Sequence, residues 1–161
     1  LLAGLSADVV ATVIAERIKL TPGGTELVRT MRKHGAYTAL VSGGFTVFTR
    51  EIAAKIGFDE NRANTLIVED AKFTGRVTEP ILGREAKLET LVELRAKFGL
   101  VKDETMAVGD GANDLSMIGE AGMGVAFHAK PAVAAAAGYR IDHGDLSALL
   151  YAQGYKHADF V

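Results

Sequence analysis

The run Val108-Gly109-Asp110-Gly111-Ala112-Asn113-Asp114 places two carboxylates four residues apart, directly after an apolar stretch. Leaving the end of a buried strand, two such carboxylates are close enough to converge on one cation, and the glycines at 109 and 111 let backbone approach a ligand. Hard oxygen donors of this kind suit Mg2+, which takes few carboxylates and keeps several waters and substrate phosphate. An isolated Asp-Gly pair reads as a solvated acidic turn, whereas the full run after a strand reads as a metal site built on Asp110 and Asp114. Ser42-Gly43-Gly44 is the second candidate. It follows its own apolar stretch and opens a helix, so a hydroxyl, adjacent backbone N–H groups and a helix N-terminus share one direction, which is an arrangement that binds anions. Taken alone, the same turn is also a sufficient link from strand to helix. Lys87 lies near the start of a helix approached by Gly83-Arg84-Glu85-Ala86, where a lone lysine is ordinarily a solvated charge.

These residues need elements to hold them. Val9, Val10, Val13, Ile14 and Ile18 recur at helical spacing between Asp8 and Ile18, and Thr21-Pro22-Gly23-Gly24 stops that helix. Thr25 is expected to cap a second helix through about Lys33. Tyr37 to Val41 is too short for a helix and reads as a buried strand ending at Ser42-Gly43-Gly44. A helix follows from about Thr46 to Ile56 and stops at Gly57. Leu66-Ile67-Val68 and Phe73 to Val77 read as a hairpin joined by Glu69-Asp70-Ala71-Lys72. Arg84 to Phe98 is expected to be helical, Met106-Ala107-Val108 a strand, and Leu115 to Ala121 a helix. Val125 to Phe127, Pro131 to Ala137, Tyr139 to Ile141 and Leu146 to Tyr151 then alternate strand and helix. Alternation of this kind predicts an α/β fold, a parallel sheet with helices on both faces, whose ligands sit at the carboxyl ends of the strands. Both glycine-rich breaks fall at that edge.

With 161 residues, 48% hydrophobic and 24% charged, the chain is long enough for one compact, core-forming globular domain. Its net charge of −2 and the lack of any Lys/Arg cluster argue against nucleic-acid or membrane-surface partners. The absence of cysteine excludes disulfides and thiolate zinc sites, so a cytoplasmic location is expected. Leu1 to Leu5 is apolar but brief, and Asp8 and Glu16-Arg17 interrupt it before spanning length. The first residue is not Met, which gives the expectation that the numbered chain starts inside a longer gene product.

Taken in order and spacing, Val41-Ser42-Gly43-Gly44-Phe45, Ala86-Lys87 and Val108 to Asp114 resemble the second, third and fourth motifs of haloacid dehalogenase-type phosphatases. Leu20-Thr21-Pro22-Gly23, Thr74-Gly75 and Ala126 to Pro131 extend the resemblance over essentially the whole chain. It implies a three-layer Rossmann-like core over residues 21–161, lacking its first strand, with residues 1–20 as the remnant of a helical cap. It also implies that Ser42 and the Gly43 N–H hold the transferring phosphoryl oxygens and that Lys87 neutralises phosphate and aspartate charge. Asp110 would bind Mg2+ directly, Asp114 would act through a metal-bound water and orient Lys87, and Asn113 would reach the phosphate or the metal's water shell. The motif wording is similar to members acting on a small phosphorylated amino acid, O-phospho-L-serine. That implies hydrolysis to L-serine and phosphate through an aspartyl-phosphate, the last step of serine biosynthesis.

One departure is plain. The family attacks phosphorus with the first Asp of an Asp-x-Asp-x-[Thr/Val] motif, and no such triplet occurs here. The resemblance therefore implies a missing N-terminal segment of the same protein, which would supply the nucleophile and the residues that recognise the amino-acid end of the substrate, and it implies that these residues alone are inactive. Two other readings stand beside it: a phosphatase for another small phosphometabolite, and a non-catalytic phosphate-binding domain. Arg17 and Lys19 are charges that could be recruited to substrate, but exposed positions on a cap helix account for them. Ion-pumping ATPases carry a similar Gly-Asp-Gly-x-Asn-Asp run and are set aside because this sequence has no membrane-spanning stretch.

Overall fold

The seven residues Ala39-Leu-Val-Ser-Gly-Gly-Phe45 form the first strand of the computed structural model, which describes residues 2–161. In chain order the helices are α1 (Val9–Arg17), α2 (Gly24–Lys33), α3 (Thr46–Ile56), α4 (Arg84–Lys97), α5 (Leu115–Glu120), α6 (Pro131–Ala136) and α7 (Ala148–Ala152). The strands are β1 (Ala39–Phe45), β2 (Glu60–Asn64), β3 (Leu66–Glu69), β4 (Lys72–Val77), β5 (Met106–Gly109), β6 (Met123–Phe127) and β7 (Tyr139–Ile141). The protein is α/β with parallel sheets covered by helices. It falls into two compact units, one of residues up to Ile81 together with Asp145–Val161, the other of Leu82–Gly144. Leu1, part of the apolar start, lies outside the described residues.

In the first unit β1 pairs in parallel with β2 through the α3 crossover, and β3 with β4 forms an antiparallel hairpin. Leu27 and Val28 of α2, Ala53 and Ile56 of α3, Phe73 of β4, and Leu149 and Leu150 of α7 are buried, the apolar set that helical and strand periodicity call for. Gly57 ends α3 in the left-handed region (φ 105°), its N–H and that of Phe58 closing onto the Ala53 carbonyl at 2.8 and 2.9 Å. That is the helix-ending geometry glycine permits. Residues 4–7 run antiparallel along β4: the Gly4 N–H reaches the Phe73 carbonyl at 2.8 Å, and the Phe73 N–H reaches the Leu5 carbonyl at 2.9 Å. No residue of α1 is buried. Its Val10 and Ile14, with Ala7, Val47, Val68 and Phe73, line an open groove of ≈ 360 Å³. Arg17 and Lys19 are exposed.

In the second unit β5, β6 and β7 form a three-stranded parallel sheet in that order, connected through α5 and α6. Its core is Ile118, Ala126 and Val133, all at most 3% exposed, with Leu115, Ala129, Ala134 and Ala137 packed around them. Arg95 of α4 reaches Glu120 at 2.6 Å, fastening α4 to the end of α5.

Three expectations change. The first strand does not stop at Val41; it carries on through Ser42-Gly43-Gly44 as an irregular segment to Phe45. The second helix is not capped by Thr25: Gly23, at φ 76°, precedes α2, and no side chain caps it. Third, Glu60-Asn-Arg-Ala-Asn64 is a strand that apolar patterning does not reveal. Its polar side chains are satisfied mostly from distant parts of the chain, Glu60 by the Tyr37 hydroxyl (2.6 Å) as well as by nearby Arg62 (2.6 Å), and Asn61 by the Thr49 hydroxyl (3.0 Å).

Candidate functional site

In the second unit the strand β5 ends at Gly109, and the chain turns through Asp110 and Gly111 into a single 3-10 turn, Ala112–Asp114. Asp114 then stands at the N-cap position of α5, where a carboxylate ordinarily accepts from the first turn of its own helix. It does not do so here. Its Oδ2 instead accepts from the backbone N–H groups of Asp110 (3.1 Å) and Gly111 (3.0 Å), and the Asp114 N–H returns to the Gly111 carbonyl at 2.9 Å. The carboxylate thus fixes the very turn that precedes it. Gly109 is required by this arrangement, because a Cβ on residue 109 would run into the Asp114 side chain.

The second oxygen, Asp114 Oδ1, accepts from Lys87 Nζ at 2.5 Å. The side chains are 11% and 5% exposed, so the pair sits away from solvent. A lysine at the start of α4 is therefore not the solvated charge that its sequence position alone suggests. Taking both ions out of water is costly, and the pair is tolerable only because Asp114 has two N–H donors besides Lys87. Thr90, one turn further along α4, is also buried, and its hydroxyl donates to the Ala86 carbonyl at 2.7 Å. Asp110 differs from Asp114. It is exposed, and among the described residues its carboxylate has no hydrogen-bond or ion-pair partner. Asn113 is exposed as well, with its side-chain oxygen folded back over Gly111.

Ser42 and Gly43 lie in the first unit, at the irregular end of β1. The Ser42 Oγ accepts from the Gly44 N–H at 3.0 Å, and Asn64 Nδ2 donates to the Gly43 carbonyl at 3.0 Å. Since Oγ is the acceptor in the first bond, the Ser42 hydroxyl retains its proton for another partner. The structure therefore groups Lys87, Asp110, Asn113 and Asp114 around one strand end, and Ser42 with Gly43 at another. Asn64, 6% exposed, was not legible as a site residue, because no spacing links it to Gly43.

Chemically, the β5 end offers one uncommitted carboxylate beside a buried ammonium–carboxylate pair. Among the described residues no cluster of three or more His, Cys, Asp or Glu side chains is present. The donors fit a hard divalent cation that takes few protein oxygens and fills its other positions with water and substrate oxygen. They do not fit a metal that needs a closed protein cage.

Parallel strands with their polar groups at the carboxyl ends, and a lysine held on an aspartate there, are the setting in which open α/β sheets bind ligands. The family model for haloacid dehalogenase-like hydrolases matches residues 1–119, and the chain belongs to this family. A phosphoserine phosphatase of Streptomyces coelicolor is 46% identical over 154 residues, 96% of this chain and 37% of that protein. The Mycobacterium tuberculosis protein named phosphoserine phosphatase SerB2 is 40% identical over 158 residues, 98% of this chain and 38% of its own. Among solved structures, a phospho-aspartyl intermediate analogue of phosphoserine phosphatase superposes with a TM-score of 0.86 at 39% identity, covering 94% of this chain and 72% of that one. The chain thus spans less than two fifths of the length of the two sequence relatives described. No helix among the described residues is long and apolar enough to cross a membrane.

Proposed function

We propose that the whole protein hydrolyses O-phospho-L-serine to L-serine and phosphate, with Mg2+ as its cofactor and an aspartyl-phosphate as its intermediate. The observation that carries this reading is the buried Lys87–Asp114 pair at the end of β5, beside Asp110, whose exposed carboxylate has no partner among the described residues. A phosphoryl group needs positive charge held rigidly, and a lysine already desolvated and oriented by a carboxylate supplies it without reorganisation during the reaction. Asp110 would hold the metal directly, while Asp114, whose oxygens are engaged by Lys87 and two backbone N–H groups, would act through water and keep Lys87 in place. When bound, the divalent ion neutralises charge on the phosphoryl oxygens. Ser42 would donate its hydroxyl proton, and Gly43 its N–H, to those oxygens. Asn113 would reach the phosphate or the water around the metal.

The 161 residues contain no Asp-x-Asp pair. In this reading the attacking aspartate belongs to a segment of the same protein outside them, and the 161 residues alone turn over no substrate. Attack by that carboxylate on phosphorus breaks the P–O bond to serine, the departing alkoxide takes up a proton, and water then releases phosphate. The names of the relatives support phosphoserine as substrate. The test is turnover by the full-length protein of O-phospho-L-serine against a panel of small phosphomonoesters. A clear kcat/KM preference for phosphoserine is expected, and equal or greater efficiency on phosphorylated sugars or alcohols would overturn it.

A further inference from the structure

We infer that Asn64 is a positioning residue for the phosphate-binding turn; this rests on Ser42 and Gly43 holding phosphate as proposed above. The register of the β1–β2 ladder carries the argument. Val41 lies opposite Arg62 and Phe45 opposite Asn64, so three residues of β1 (42, 43 and 44) face only Ala63 on β2. One residue cannot supply backbone partners for three, and polar backbone groups away from water need them. The Asn64 side chain makes up part of the shortfall, its Nδ2 donating to the Gly43 carbonyl at 3.0 Å. A carbonyl accepts only, so the amide must present its nitrogen there.

The Gly43 carbonyl and the Gly44 N–H belong to one planar peptide unit. Asn64 holds one end of that plane and Ser42 Oγ, accepting from Gly44 N–H at 3.0 Å, holds the other. The plane's orientation decides where the Gly44 N–H points, and so the direction in which Ser42 Oγ, accepting from it, is held with its proton turned toward a ligand. Asn64 thereby sets the aim of Ser42 without touching substrate, while the Gly43 N–H belongs to the preceding peptide unit of the same turn. Its position on a strand, buried to 6% exposure, gives it the rigidity this needs.

The test uses the full-length protein, with inorganic phosphate as a competitive inhibitor. Asn64→Ala and the near-isosteric Asn64→Asp should each raise the inhibition constant for phosphate about tenfold, the loss expected for one well-placed hydrogen bond. Thr49→Ala removes a neighbouring part-buried bond, Thr49 to Asn61 at 3.0 Å, that does not touch the turn, and should leave the constant within about twofold. In a Ser42→Ala background the Asn64 substitution should add little, because both act through one peptide plane. Folded Asn64 variants with unchanged phosphate inhibition, or full additivity with Ser42→Ala, would overturn the positioning role. If neither variant folds, the Asn64 side-chain amide resonances of the wild-type protein decide: they should shift saturably as inorganic phosphate is titrated in, and resonances that stay put reject the inference. If Ser42→Ala itself leaves phosphate inhibition unchanged, the phosphate assignment of this turn falls, and the Asn64 role with it.

Discussion

The turn after β5 and the irregular end of β1 both leave parallel strands at their carboxyl ends, and both depend on glycine, yet they are held by opposite means. At β5 a charged side chain organises the backbone: Asp114 gathers the N–H groups of Asp110 and Gly111, and its remaining charge is balanced by Lys87. At β1 the organising groups are neutral, the Asn64 amide and the Ser42 hydroxyl, acting on one peptide unit. The difference follows from what each turn must retain. A buried ion pair keeps a positive charge in place away from solvent but makes stability and chemistry depend on the same residues. A turn fixed by neutral hydrogen bonds leaves a hydroxyl proton to give, at little electrostatic cost.

The comparison can be broken most severely at Asp110. In the full-length protein Asp110→Asn should reduce turnover to background and weaken Mg2+ binding by titration, with the fold intact because this side chain is exposed and has no partner among the described residues; activity within about tenfold of wild type would refute its role. Next is Lys87→Ala. It should lower kcat by about three decades, and it should also destabilise the protein by roughly 3 kcal/mol, since Asp114 is left buried without its counter-charge. Denaturant melts beside steady-state kinetics would register both losses. Ser42→Ala should separate the two turns most clearly: kcat/KM is expected to fall about a hundredfold with the denaturation midpoint almost unmoved, and a stability loss like that of Lys87→Ala would remove the contrast.

The smallest effect lies at the far end of β1. There Asp59 accepts from the Thr38 N–H (2.8 Å) and hydroxyl (2.9 Å) and pairs with Arg32 (2.7 Å). Burial pushes the carboxyl up, but the Thr38 bonds and the Arg32 guanidinium together outweigh it and hold the group below its ordinary value. A depressed carboxylate contributes stability above its unfolded value, near 4, and loses that contribution as pH falls through the lower folded value. Asp59→Asn should therefore flatten the acid side of a melting-temperature profile below about pH 4, by less than about 1 kcal/mol given the half-exposed Arg32. An unchanged profile would show that the pair is too solvated to matter.

Several features were open to reading from the sequence because they leave marks there. Gly109 marks the close approach of Asp114 and Gly111 that of Asn113, Gly57 marks the end of α3, and alternating apolar stretches mark β5 to β7. The β2 strand left no such mark: its polar residues are matched by Tyr37, Thr49 and Gly43, between 12 and 23 positions away in the chain, and pattern reasoning cannot see partners that distant. For the same reason Ser42-Gly43-Gly44 looked like the end of a strand. Only the register with β2 reveals it as three residues accommodated against one. Helical periodicity assigns a face to Lys87 but says nothing of its burial; only the family resemblance implies that Asp114, from a later turn, would orient it.

The β3–β4 hairpin carries a consequence in time. Asp70 and Ala71 join its strands, both at positive φ (48° and 59°), the paired conformation whose twist suits a two-residue hairpin link. Its contacts span a dozen residues, so it can close within microseconds. The parallel ladders need α3 or α5 and α6 to cross over first, a slower kind of closure. The order of assembly then has a natural seed: the hairpin forms first, and the parallel ladders and the docking of residues 4–7 along β4, whose partners lie much farther apart in the chain, follow. The Thr78 amide, which the closing hairpin ties to the Thr65 carbonyl at 2.9 Å, should accordingly gain protection in pulsed hydrogen exchange before those of Val41 and Val108.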